Sequence, residues 1–84
     1  MITVTVKYFA GLREAVGMTT EEFKFNEPPR VRDALDRIFA AHRPLSAYRA
    51  SLLLAVNLEY ADADTLLADG DELALIPPVS GGSR

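Results

Sequence analysis

A single amphipathic helix constrains this chain of 84 residues more than any other feature. Between residues 31 and 42 the apolar side chains recur every three or four positions, which is the spacing of one helix face. We predict that Pro44 ends this helix, since proline cannot continue it. A helix with one apolar face must bury that face against another element. The rest of the chain therefore has to supply a surface for it.

The remaining apolar residues follow strand patterns. Residues 2–8 and 20–25 alternate between apolar and polar side chains, which is typical of half-buried strands. The short connection between them favours an antiparallel hairpin. Residues 52–57 and 72–76 are apolar on both alternating faces, which indicates strands that lie centrally or are covered on both sides. Residues 58–60 either continue the third strand or form a short edge strand.

These elements predict an α+β fold, a mixed sheet of four to five strands with one main helix on one face. If the first and last strands are parallel neighbours and the helix crosses over the sheet, the fold is the ubiquitin-like β-grasp. Periodicity alone leaves other small α+β folds open. Because Pro77-Pro78 ends the last strand, we predict one domain over residues 1–78 and a flexible tail over residues 79–84.

The composition excludes several functional classes. The chain has no cysteine, so disulfides, thiolate metal sites and a cysteine nucleophile are impossible. Its one histidine, His42, gives no histidine-rich metal site, and we expect it to be packed or solvated and expect no metal to be bound. The acidic pairs Asp62/Asp64 and Asp71/Glu72 fall in loops or at a loop end, where carboxylates are usually solvated and not tuned for acid–base catalysis.

The charge is distributed unevenly along the chain. Residues 50–84 hold six acidic side chains and one basic side chain, whereas residues 1–49 are slightly basic. An acidic surface repels phosphate backbones, so we expect no nucleic-acid partner. It suits a partner with a basic docking groove, although a solvated face that only keeps the protein soluble is the alternative. The apolar runs are too short to span a bilayer and no targeting segment is visible, so we expect no membrane association and a cytoplasmic location.

The C-terminal tail has the features of a segment that enters the active site of another protein. Pro77 and Pro78 favour an extended exit from the sheet. Gly81 and Gly82 carry no side chain, so their backbone fits a channel that excludes any Cβ. The composition of residues 80–83 fits a flexible linker as well, and composition alone favours the linker.

Several segments together resemble one family, the small sulfur-carrying subunits of molybdopterin synthase. The similar segments are residues 9–14 after the first strand, residues 55–57 before an acidic loop, residues 69–72, and residues 76–82. The last of these, Ile-Pro-Pro-Val-Ser-Gly-Gly, is the most specific, and the resemblance spans essentially the whole chain. It implies the β-grasp fold of ubiquitin-like sulfur carriers.

The resemblance also implies a chemistry that is carried by Gly82. In such proteins an E1-like activating enzyme uses ATP and magnesium to adenylate the terminal glycine carboxylate, and sulfur then replaces the adenylate to give a thiocarboxylate. The tail, here Val79, Ser80 and Gly81 with Gly82, enters the large catalytic subunit, where the sulfur builds the dithiolene of molybdopterin. The carrier would bind no cofactor or nucleotide itself, would not be an enzyme alone, and would form a heterotetramer with the large subunit.

Partner binding requires an apolar patch beside the tail. Phe9, Tyr60 and Ile76, with Val79, are the candidates, flanked by the acidic residues of the C-terminal half. Core packing is the alternative role for Phe9 and Ile76.

The sequence departs from the family pattern at its end, where Ser83 and Arg84 follow Gly82. While that peptide bond exists, Gly82 has no carboxylate to adenylate. Proteolytic trimming, a fusion with the large subunit and an extension added for expression are all open explanations. Two rival functions also remain open: a carrier for another route (thiamin, thiolated tRNA or modification of protein lysines), and a non-catalytic interaction domain with an inert tail.

Overall fold

Five strands form one mixed sheet in the computed structural model, which describes residues 1–78. The strands are β1 (Ile2–Tyr8), β2 (Thr20–Phe25), β3 (Leu53–Val56), β4 (Glu59–Ala61) and β5 (Glu72–Ile76). The helices are α1 (Gly11–Val16), α2 (Val31–Ala41) and a 3-10 helix (Arg43–Ser51). In the part of the chain that the structure describes, no helix is long and apolar enough to cross a membrane.

The strand order is β2-β1-β5-β3-β4. The first and last strands, β1 and β5, are parallel neighbours, whereas the other three pairs are antiparallel. A parallel pair needs a crossover connection, and α2 lies within it. This topology is the β-grasp arrangement that the sequence left as one of several options, and the predicted mixed sheet with one main helix is confirmed.

One face of the sheet packs against the helices to form the core. Alternate residues of β1 and β5 point into it, with Tyr8 and Leu75 almost completely buried. The core also takes the apolar face of α2, and it includes one buried leucine from each of α1 and the 3-10 helix. The core cluster consists of Val4, Val6, Tyr8, Leu12, Phe23, Phe25, Val31, Ala34, Leu35, Ile38, Phe39, Leu45, Leu67, Leu73 and Leu75.

The loop between β4 and β5 stabilises the start of α2. The backbone N–H groups of Val31 and Arg32 donate to the carbonyl oxygens of Thr65 (2.9 Å) and Ala63 (3.0 Å). The Arg30 N–H donates to the Asp33 carboxylate at 3.0 Å. Helix N-termini leave their first N–H groups without partners inside the helix, so these bonds satisfy them and fix the loop against α2.

The end of α2 differs from the prediction. The helix ends at Ala41, and the N–H of His42 donates to the Ile38 carbonyl at 2.8 Å. Pro44 instead lies in the first turn of the following 3-10 helix, where a missing N–H removes no intrahelical bond. That helix occupies the segment after Pro44 to which the sequence pattern assigned no structure.

Candidate functional site

The face of the sheet that points away from α2 carries the candidate site. Strand register assigns residues to this face, because neighbouring partners in a sheet point to the same side. Lys7 pairs with Ala74, Ala74 with Ala55, and Ala55 with Tyr60, which makes one row across four strands. The next row contains Ile76 paired with Leu53.

Phe9 extends the second row. Phe9 comes directly after β1, whose last residue, Tyr8, faces the core and pairs with Leu75. If the alternation of β1 is continued by one residue, Phe9 falls on the opposite face, at the level of Ile76. Phe9 is 41% exposed, Leu53 47% and Tyr60 80%. We call this group the apolar face; its residues are Phe9, Leu53, Ala55, Tyr60, Ala74 and Ile76.

The three docking candidates from the sequence, Phe9, Tyr60 and Ile76, therefore share one accessible face. Phe9 and Ile76 do not belong to the buried core, so the core-packing alternative does not describe them. Leu53, Ala55 and Ala74 also lie on this face and are not among the residues predicted for it. Their signal was the apolarity of β3 and β5 on both faces, which was interpreted only as a central or doubly covered position.

The apolar face lies at the end of the sheet from which the tail departs. Ile76 is the last residue of β5, and Pro77 and Pro78 follow it. The predicted tail-insertion residues Val79, Ser80 and Gly81, and the predicted reactive residue Gly82, lie outside the described residues. A protein that covers the apolar face is thus close to the point where the tail begins.

The β3–β4 turn is held against β5 by Asn57, and this positions Tyr60. The Asn57 backbone N–H donates to the Glu72 carbonyl at 2.9 Å, and the Glu72 N–H donates to Asn57 Oδ1 at 3.0 Å. Asn57 Nδ2 also donates to Asp71 Oδ1 at 2.9 Å. Asn57 and Leu58 have φ values of 51° and 72°, the left-handed conformation of a tight hairpin turn.

A polar cluster lies on the core side of the sheet, directly behind Phe9. The Tyr8 side chain, 2% exposed, donates its hydroxyl hydrogen to Glu21 Oε1 at 2.8 Å, and His42 Nε2 lies 2.7 Å from the same oxygen. Burial, followed by the hydrogen bond and the negative charge of Glu21, raises the pKa of Tyr8 far above its usual value. His42 was expected to be packed or solvated; it is partly buried and bonded to Glu21.

The loop carboxylates organise the backbone. Asp62 Oδ1 accepts a hydrogen bond from the Asp64 N–H at 2.9 Å, and Asp71 Oδ2 accepts one from the Ala68 N–H at 2.8 Å. Among residues 1–78, no group of three or more histidine, cysteine or acidic side chains is arranged to hold a metal ion. The exposed apolar residues beside the Pro77-Pro78 exit have the features of a binding surface.

Comparison with known proteins identifies the family. The ThiS family model matches residues 6–82, which is nearly the entire chain. The chain belongs to the ThiS family. This member is 38% identical over 81 residues to the molybdopterin synthase sulfur carrier subunit of Chlamydomonas reinhardtii, covering 94% of this chain and 98% of that protein. It is 37% identical over 83 residues to the protein of the same name from Mycobacterium tuberculosis, covering 98% of this chain and 100% of that protein.

A relative with a different name matches to a similar degree. Small archaeal modifier protein 1 of Haloferax volcanii is 38% identical over 84 residues, covering 90% of this chain and 97% of that protein. Relatives named as sulfur carriers and a relative named as a modifier thus have comparable similarity to this chain.

Solved structures of similar proteins share the fold. A putative molybdopterin converting factor subunit 1 from Pyrococcus furiosus superimposes with a TM-score of 0.84 at 36% identity, covering 94% of this chain and all of that one. The Haloferax volcanii modifier superimposes with a TM-score of 0.85 at 36% identity, covering 95% of this chain and 99% of that one. A third match comes from the complex of molybdopterin-converting factor subunits 1 and 2 from Helicobacter pylori. One chain of that complex superimposes with a TM-score of 0.70 at 27% identity, covering 96% of this chain and all of that one.

Proposed function

We propose that this ThiS-family protein is the sulfur carrier, the small subunit, of molybdopterin synthase. The observation that carries the proposal is the match of relatives with that name over nearly the whole chain, together with a family match that continues to residue 82. On this proposal the chain is not an enzyme by itself. The catalytic residues of the synthase lie on the large subunit, and this chain supplies the sulfur.

The reacting group in this proposal is the carboxylate of Gly82. An E1-like enzyme directs that carboxylate to the α-phosphorus of ATP, with magnesium, so that pyrophosphate leaves and an acyl adenylate forms. A sulfide equivalent then attacks the acyl carbon, AMP leaves, and a thiocarboxylate remains. Because a carboxylate is a poor electrophile and AMP is a good leaving group, activation must precede sulfur transfer. The thiocarboxylate is a sulfur nucleophile, so the absence of cysteine is no obstacle.

The apolar face supports the docking part of the proposal. Exposed Phe9, Leu53 and Tyr60 side chains lie on one surface at the end of the sheet that leads into the tail. Large apolar side chains gathered on one accessible surface favour protein–protein contact. We assign this surface to the large subunit and, for activation, to the E1-like enzyme, with two small and two large subunits in the synthase. The Helicobacter pylori complex joins subunits 1 and 2 of its factor, which supports this assignment. We place the reaction in the cytoplasm, where ATP is available.

Removal of Ser83 and Arg84 is a necessary step in this scheme. A peptide bond joins Gly82 to Ser83, and a peptide carbonyl cannot be adenylated. We therefore propose that the active species ends at Gly82.

A second function is favoured by one specific observation. The Haloferax volcanii modifier is as similar in sequence to this chain as the sulfur carriers are. A modifier uses the same activated glycine, but a lysine amine instead of sulfide attacks the acyl carbon. The Ile-Pro-Pro-Val-Ser-Gly-Gly ending favours the carrier.

Reconstitution of the synthase tests the proposal. Protein ending at Gly82 is incubated with the activating enzyme, ATP, magnesium and a sulfur donor, and its intact mass is measured. We expect one carboxyl oxygen to be replaced by sulfur, followed by formation of molybdopterin from the cyclic pyranopterin precursor when the large subunit is added. Deletion of Gly82 and retention of Ser83-Arg84 are the two controls, and both should abolish transfer without changing the fold.

Two outcomes would contradict the carrier assignment. Sulfur transfer that is unchanged by deletion of Gly82 would show that the tail is inert. A chain that becomes adenylated and then forms only conjugates with lysine side chains would instead identify a modifier.

A further inference from the structure

A groove of about 200 Å³ lies at the edge of the apolar face. Strands β1 and β2 and the helix α1 form it, and its lining residues are Lys7, Tyr8, Phe9, Arg13, Thr19 and Thr20. Lys7 pairs with Thr20 across the β1–β2 ladder, and Lys7 also pairs with Ala74 of the apolar face. The groove therefore continues one row of the apolar face sideways across the sheet.

The groove carries an excess of positive charge. It is lined by two cations and no acidic side chain. Lys7 Nζ lies 3.4 Å from Glu72 Oε2, so a neighbouring carboxylate partly balances its charge. Arg13 is exposed and, within residues 1–78, makes no ion pair or side-chain hydrogen bond. The guanidinium of Arg13 is thus available, and the two threonines add hydroxyl groups beside it.

Phe9 lines the groove and also belongs to the apolar face. A protein that covers the apolar face must therefore reach the mouth of the groove. Covering an arginine without supplying a partner leaves a desolvated charge, which is costly. A docked surface would have to place a carboxylate there or lose affinity.

The groove lies at one side of the apolar face, at the β1 and β2 end of the row, and not at its centre. A charged contact placed off-centre distinguishes one rotational setting of a docked partner from the reversed one.

We propose that the groove between Lys7 and Arg13 receives an aspartate or glutamate side chain of the large subunit that covers the apolar face. The resulting charge-assisted contact fixes the rotation of the carrier on that subunit, so that the tail points into its active site. This inference rests on the proposed function and adds to it a specificity-determining residue, Arg13, and the chemistry of its partner.

The lining of the groove favours a protein carboxylate over a free anion as the occupant. Only one of the two cations, Arg13, lacks a neighbouring acid, so a small free anion would gain a single charged contact there. A carboxylate that is already held by contacts on the apolar face reaches Arg13 with little further loss of freedom.

Binding measurements on a matched pair of variants test this proposal. Arg13→Glu and Arg43→Glu change the net charge equally, but Arg43 lies at the start of the 3-10 helix, which packs on the core side of the sheet. The purified large subunit from the same organism is titrated with protein ending at Gly82. We expect the Kd of Arg13→Glu to be about tenfold or more higher than the Kd of Arg43→Glu. Arg13→Gln should bind with an intermediate Kd and a weaker dependence on salt than the parent protein.

Three outcomes would overturn the proposal, and they separate it from the proposed function. If Arg13→Glu and Arg43→Glu have equal Kd values while Tyr60→Ala still weakens binding, the groove does not bind a carboxylate of the large subunit. The assignment of the apolar face as the docking surface would then still hold. A Kd for Arg13→Gln equal to that of the parent protein at low salt would likewise refute the role of the groove. This variant introduces no new charge that could disturb folding. Failure of the parent protein to bind the large subunit would overturn the proposed function itself.

Discussion

The hydroxyl group of Tyr8 donates a 2.8 Å hydrogen bond to the Glu21 carboxylate, and this bond joins β1 to β2 on the core side of the sheet. Tyr8 is followed by Phe9 of the apolar face and pairs with Leu75 of β5. The rings of Tyr8 and His42 meet edge to face, with centroids 6.0 Å apart. The cluster therefore supports, from behind, the part of the sheet on which we expect partners to dock.

Tyr8→Phe should destabilise the fold in a pH-dependent way. Loss of one hydrogen bond to a charged acceptor should lower the free energy of unfolding by about 1.5–3 kcal/mol near neutral pH. The raised pKa of Tyr8 means that the folded protein keeps the phenol proton when the unfolded chain, with a pKa of about 10, releases it. The contribution of Tyr8 to the free energy of unfolding is complete below about pH 10 and declines as the pH rises further. The difference in stability between the parent protein and Tyr8→Phe should therefore decrease above that pH.

Urea denaturation at a series of pH values measures this effect. Tyr60→Phe is the control, because Tyr60 is largely exposed and its hydroxyl makes no hydrogen bond within residues 1–78. The prediction would be contradicted if the difference in the free energy of unfolding between the parent protein and Tyr8→Phe stayed constant up to strongly alkaline pH.

Asn57→Ala should destabilise the β3–β4 turn for two separable reasons. The variant loses both side-chain hydrogen bonds, to the Glu72 N–H and to Asp71 Oδ1, and places alanine at a φ of 51°. We expect a loss of about 2–3 kcal/mol in the free energy of unfolding. Asn57→Gly loses the same bonds but tolerates that φ, so it should be the less destabilised variant by about 1 kcal/mol. Equal stabilities of the two variants, measured by chemical denaturation, would show that the backbone conformation contributes nothing.

Tyr60→Ala should separate binding from folding. The side chain is on the apolar face and largely exposed, so the free energy of unfolding should change by no more than about 0.5 kcal/mol. Affinity for the large subunit should fall by about tenfold or more. Leu58→Ala is the matched control: Leu58 is 91% exposed at the adjacent turn but lies outside the apolar face. If both variants lose the same affinity in calorimetric titrations, then exposed apolar area in general, and not this face, determines binding.

Gly70→Ala should cost about 1 kcal/mol through backbone strain alone. Gly70 has a φ of +88°, and a Cβ built there meets no atom within 4 Å, so steric crowding plays no part. Its N–H donates to the Thr3 carbonyl at 2.8 Å, which aligns the turn before β5 with β1. Gly11→Ala is the comparison, because its Cβ would make only ordinary contact, 3.9 Å from the Tyr48 hydroxyl. Thermal unfolding should show a lower Tm for Gly70→Ala only.

The sequence predicted the elements well because most of their signals are local. The alternation in residues 2–8 and 20–25, and the helical spacing from residue 31, depend on neighbours a few positions away. The end of α2 was predicted too late, since Pro44 is compatible with the first turn of a new helix. The resemblance to sulfur carriers then selected the β-grasp among the folds that periodicity left open.

What the sequence by itself determined was the order of the elements, the family, and which residues of each strand share a face. Which face is covered was decided only in the tertiary structure, because it depends on where α2 packs after crossing from β2 to β3. That placement turned the apolar residues Leu53, Ala74 and Ile76 into an accessible surface, although their pattern had suggested a covered strand. The contact of Glu21 with Tyr8 and His42 was likewise beyond local patterns, since it joins residues from β1, β2 and the end of α2.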